Sequence, residues 1–77
     1  MDRNELLVKI LDICLDIFGV DIHENTKRED IDSWDSLGHL RLMMSIEQSF
    51  EVKFSMSQIP ELDSIKKIVE SIILLKK

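Results

Sequence analysis

Three stretches of this chain repeat apolar residues every three or four positions, and that spacing constrains the fold more than any other feature. Leu7, Ile10, Leu11, Cys14, Ile17 and Phe18 form one stripe, widened by Leu6 and Leu15. Ile65, Ile68, Val69, Ile72 and Leu75 form another. Between them, Leu42, Met43, Ile46 and Phe50 gather on one side of a helical wheel, with His39 among them. A period near 3.6 marks an amphipathic helix. Two Gly, one Pro and no Tyr in 77 residues argue the same way, against many short strands. The expected fold is all-α: a four-helix bundle of three main helices, one short third helix and a long loop between helices one and two.

The ends of these helices carry signals of their own. Helix one is expected from about Asp2 to Phe18, with Gly19 as its stop. Helix two spans about Ser36 to Phe50, and "EVKF" after it reads as a short extended link. "SMSQIPEL" has room for the short third helix, capped by Ser55 or Ser57, with Pro60 near an end. The last helix is expected from about Ser64 to Leu75, capped by Asp63, with Lys76 and Lys77 suiting its C-terminal dipole. Residues 20–35, "VDIHENTKREDIDSWD", show no sustained period. They read as a loop pinned by Val20, Ile22, Ile31 and Trp34, with Thr26 and Glu29 capping one short turn.

Charge and composition remove several functions. Residues 1–35 hold ten acids against four bases, and the whole chain has a net charge of −5. Such a body repels phosphate backbones, so no nucleic-acid partner is expected. The longest uninterrupted apolar run, "IILL", is too short to cross a bilayer. The start, "MDRNELL", lacks the basic-then-apolar pattern of a secretory signal, and one cysteine allows no internal disulfide. A cytoplasmic monomer is expected. One Cys and two His lack the spacing of a zinc site. His23 and Glu24 are adjacent and do not converge on one ion, so no metal is expected.

Helix two raises two further questions. Leu37, Leu40 and Met44 form a second apolar stripe on a side away from Ile46. Either helix three or the loop covers it, or it is a docking surface for a partner; exposed Met adapts to several partners. Glu47 lies in the gap between the stripes, while Gly38, Arg41, Ser45, Gln48 and Ser49 make a polar back. The second question is Ser36. Asp35 already suits the N-cap, so the serine is either a plain first-turn residue or does something else. A helix N-terminus stabilises an attached or bound phosphate. A Ser36 nucleophile with His39 as base would be an enzyme, but no Gly-x-Ser-x-Gly elbow and no separate orienting acid accompany them, so no catalytic residue is expected.

"DSWDSLGHLRLMMSIEQSF", residues 32–50, resembles the helix-two motif of acyl carrier proteins, whose core is Asp-Ser-Leu. The match falls on Asp35, Ser36 and Leu37, and extends to Trp34, to Leu40, Leu42 and Ile46, and to the closing Phe50. Total length and the long loop agree, so residues 1–77 are expected to form a single acyl-carrier-like domain. The resemblance implies that Ser36 accepts 4'-phosphopantetheine from coenzyme A through a phosphopantetheinyl transferase. The arm's thiol would then shuttle acyl thioesters between acyl-loading and acyl-accepting enzymes. Asp35, Leu37, Leu40, Arg41, Met44 and Glu47 would form the partner-docking face, with Leu37 and Met44 on positions where family members meet their partners. The chain departs from many fatty-acid-synthesis carriers in having Gly38 where they have an acid, and Arg41 and His39 in a helix that is elsewhere strongly acidic. That points to a specialised biosynthetic pathway. Amino-acyl or peptidyl transfer is the alternative, although peptidyl carriers have Gly-Gly where this chain has Trp34 and Asp35. An unmodified helical interaction module is a third reading. Ile46, Phe50, Phe54, Leu62, Ile68 and Ile72 lie on stripes that could converge and part to admit a short acyl chain.

Overall fold

A computed structural model describes residues 2–76. It holds three α-helices: α1 (Arg3–Phe18), α2 (Ser36–Phe50) and α3 (Ile65–Leu75). The expected short third helix is a single 3-10 turn, Ile59–Glu61, and another such turn, Arg28–Asp30, interrupts the long loop. The segment closes with i→i+3 bonds, Glu61 N–H to Gln58 O at 3.0 Å and Leu62 N–H to Ile59 O at 3.2 Å, and Pro60 sits in its first turn, where a missing N–H costs nothing.

Each α-helix begins on a side chain that satisfies an orphan N–H group. Asp2 accepts from the Glu5 N–H at 2.8 Å. Asp35 accepts from the Gly38 N–H at 2.8 Å, so the aspartate is the cap of α2 and Ser36 is its first residue. Ser64, not Asp63, caps α3, accepting from the Lys67 N–H at 3.2 Å. Asp63 instead takes the Lys67 ammonium at 3.0 Å, and that bond holds its carboxyl below the usual range. The choice between these two adjacent residues is made by tertiary contacts. Arg28 N–H donates to Asp63 O at 2.8 Å and Ile65 N–H donates to Thr26 O at 3.1 Å, an antiparallel bridge that stitches the loop to the start of α3. α1 ends at Gly19 with φ 71°, where its N–H reaches Leu15 O; a side chain would have open space there, so the left-handed backbone is what favours glycine.

One cluster of buried side chains joins the three helices, with α1 packed on both α2 and α3. Leu6, Ile10, Cys14 and Phe18 carry the α1 side, while Leu7, Leu11 and Ile17 are only half-buried. The stripe is therefore centred slightly to one side of the expected line, and Leu15 is exposed. From α3 come Ile65, Ile68, Val69 and Ile72, but Leu75 is exposed. Ile22 and Trp34 pin the long loop and Ile31 is half-buried; Val20 faces solvent and pins nothing. The loop's short turn starts at Arg28 and is fastened by Asp30 accepting from the Lys27 N–H at 3.0 Å, while Thr26 accepts from the His23 N–H. Lys76 follows the last residue of α3, and Lys77 lies outside the described residues.

Candidate functional site

The start of α2 is built from three converging segments. Phe18 at the end of α1 stacks on Trp34 with ring centroids 5.3 Å apart, and Trp34 stacks in turn near His39 at 6.1 Å. Ser33 donates its hydroxyl to Phe18 O at 3.3 Å, satisfying a carbonyl at the end of α1. Gly38 sits at the closest approach of these parts. A β-carbon there would lie 2.6 Å from Ser33 O and 2.9 Å from a Phe18 ring carbon. Gly38 is thus buried, a correction to its expected place on the polar back of the helix. The close approach of Ser33 and Phe18 favours glycine at this position.

His39 is buried and both ring nitrogens are engaged. Trp34 Nε1–H can only donate, and it reaches His39 Nδ1 at 2.9 Å. Nδ1 is therefore an acceptor, and Nε2–H donates to Ile59 O at 2.7 Å. The neutral Nε2–H tautomer ties the long loop, α2 and the 3-10 turn before α3 together. With both nitrogens committed, His39 has none to offer Ser36, and the serine–histidine enzyme reading has no geometric basis.

Ser36 is exposed at the first position of α2. Its Oγ accepts from Arg28 Nη2 at 3.4 Å. Arg28 is half-buried and its Nε–H donates to Trp34 O at 3.1 Å, so its guanidinium is anchored beside the serine. A groove that Arg28 helps to line opens between the loop and α3; its charged residues are of both signs, Lys27 and Lys67 with Glu29 and Asp63. Nothing in the sequence period announced Arg28; the loop that delivers it has no repeat to read.

The second apolar stripe of α2 is uncovered. Leu37 is 59% exposed, Leu40 49% and Met44 57%, and Arg41 also faces solvent. The reading in which helix three or the loop covers this stripe is excluded. Glu47 differs from the rest of the expected docking set: it is half-buried and its Oε2 accepts from the Phe54 N–H at 2.9 Å. It fastens the link after α2. Asp35 keeps an exposed position while one carboxylate oxygen caps the helix.

Cys14 is fully buried in the core, and burial pushes its thiol up to about 12. It stays a neutral thiol and offers no nucleophile. Among the described residues no group of three or more His, Cys, Asp or Glu is placed to hold a metal, and Glu24 pairs with Arg3 at 3.2 Å. No helix among them is long and apolar enough to cross a membrane.

Residues 8–72 match the family model described as "Phosphopantetheine attachment site". A protein from Rubrobacter xylanophilus named "Acyl carrier protein" is 32% identical over 77 residues, covering 95% of this chain and 94% of that protein. The class defined by fold and match is that of phosphopantetheine-bearing carriers. The chain belongs to the acyl carrier protein family. It is a carrier and not an enzyme, and its cofactor is 4'-phosphopantetheine, held covalently. Membership implies a phosphopantetheinyl transferase and acyl-handling enzymes as partners.

Proposed function

We propose that Ser36 bears the phosphopantetheine arm and that the protein shuttles acyl thioesters between enzymes of a specialised biosynthetic pathway. The observation that carries the attachment site is the exposed Ser36 hydroxyl at the first position of α2, inside Asp35-Ser36-Leu37 and already relieved of any capping task by Asp35. The helix N-terminus favours the negative charge of the phosphodiester. Leu37, Leu40, Arg41 and Met44, with Asp35, form the face that partners dock on. One cation among apolar anchors, in place of a strongly acidic helix, supports a dedicated partner set over the basic docking patches of general fatty-acid synthesis. The protein works as a monomer in the cytoplasm. Amino-acyl cargo is the second reading; it uses the same arm and the same serine.

A native thiol count tests this. Cys14 is buried with a raised pKa, so the unmodified folded protein should show no thiol reactive to a colorimetric disulfide reagent at neutral pH. After incubation with coenzyme A and a broad-range transferase, one reactive thiol should appear, and acyl loading should remove it. A Ser36→Ala variant that also acquires the reactive thiol contradicts the assignment.

A further inference from the structure

We infer that Arg28 is a phosphate-binding residue: its guanidinium receives the phosphodiester of the arm and holds the arm's first segment against the long loop. This rests on the assignment of the arm to Ser36. Arg28 lies in a stretch where Glu29, Asp30, Asp32 and Asp35 are close in sequence. Yet the ion pairs among the described residues are Arg3–Glu24 and Asp63–Lys67, and Arg28 is in neither. Asp30 spends a carboxylate oxygen on the Lys27 N–H and Asp35 spends one on the Gly38 N–H. The guanidinium has been fixed by other means. The main-chain N–H of Arg28 is bound to Asp63 O at 2.8 Å, just before α3, and the guanidinium Nε–H is bound to Trp34 O at 3.1 Å.

What remains is a set of unspent donors aimed at the serine. Arginine has five N–H donors in a planar fork. Here Nε–H and one Nη2 donor are assigned, the latter to Ser36 Oγ at 3.4 Å, a long contact to a neutral acceptor. Esterification removes the hydroxyl proton and places two non-bridging oxygens, which share one negative charge, one phosphorus atom beyond Oγ. Those oxygens come within the sweep of the fork, and a charge-assisted pair replaces the long contact. The anchoring to Trp34 matters because it orders the side chain before the phosphate arrives, so little rotamer entropy is lost on pairing. In the groove beside Arg28, Lys67 is already paired with Asp63 and Glu29 is a further carboxylate, so Arg28 is the cation left to meet the phosphodiester at Ser36. Arg28 positions the arm and takes no part in acyl chemistry.

The test compares the unmodified and phosphopantetheinylated forms of the full chain. In the wild type, the Nε–H resonance of Arg28 should shift on modification more than those of the two other arginines, Arg3 and Arg41. Modification should raise the melting temperature by about 4–8 °C, the response of a domain this size to one charge-assisted contact. In Arg28→Gln at least half of that rise should vanish, and Arg28→Lys should retain part of it, since charge is kept and the fork is lost. An unmoved Arg28 resonance, or an equal rise in all three proteins, overturns the inference while leaving Ser36 as the attachment site. If Arg28→Gln does not fold, the wild-type resonance decides alone. Absence of any mass gain on the wild type overturns both this inference and the attachment at Ser36.

Discussion

Met43 and Met44 are neighbours on α2 with opposite fates: the first is fully buried and the second is more than half exposed. The whole helix divides in the same way. Leu42, Met43, Ile46 and Phe50 enter the shared core, while Leu37, Leu40 and Met44 face solvent with similar side chains. Hydrophobicity alone cannot separate the two faces; what separates them is whether α1 and the 3-10 turn before α3 pack against them. The inner face stabilises the bundle. The outer face lies largely in solvent near the exposed Ser36, and it is the face proposed for docking.

Ile46→Ala should cost about 2–5 kcal/mol, because a fully buried side chain is deleted from a packed core. Urea denaturation measures it, and a loss under about 1 kcal/mol would mean that the inner face is loosely packed. If that face also parts to admit an acyl chain, chemical shifts of Ile46, Phe54 and Ile72 should change with the length of a loaded acyl group.

His39→Leu should cost about 2–3 kcal/mol, since the indole N–H of Trp34 and the carbonyl of Ile59 would both lose their partner. The indole proton resonance should shift upfield at the same time. A neutral substitution would show that the Trp34–His39–Ile59 chain of bonds contributes nothing to the inner face.

Leu37→Gln and Met44→Gln should each change stability by no more than about 0.5 kcal/mol. They should nonetheless lower kcat/KM of the transferase by about tenfold, the equivalent of about 1.4 kcal/mol lost from an apolar anchor. Unfolding of either variant would place these residues in the inner face, and unchanged transfer would leave the outer face without a partner.

The two faces were legible in the sequence to different degrees. The period placed Leu42, Met43, Ile46 and Phe50 inside, and α2 occupies the expected residues 36–50, because caps and spacing are local signals. The outer stripe was visible as a stripe, but its exposure depends on how little of the loop passes over it, which no local pattern encodes. Asp63 and Ser64 are both good cap residues; the bridge between Lys27 and Ser64 decides between them, and it joins parts of the chain far apart in sequence. Gly38 looked like a polar-face residue because a wheel counts angles and ignores the neighbouring Phe18 and Ser33. Arg28 was equally hidden, since its approach to Ser36 depends on the same loop-to-α3 stitching. Glu47 carried no mark of its inward bond to Phe54, which forms only when the chain after α2 turns back at Glu51, a non-glycine residue at φ 55°.

Intact mass tests most directly whether Ser36, exposed at the first position of α2, is the point of attachment. Wild-type protein incubated with coenzyme A and a broad-range phosphopantetheinyl transferase should gain the mass of one phosphopantetheine, located by fragmentation on Ser36. Ser36→Ala should remain folded, because the hydroxyl is exposed and Asp35 provides the cap, and should gain nothing. A wild type left unmodified by several transferases, or a Ser36→Ala variant that still gains the group, would contradict the account.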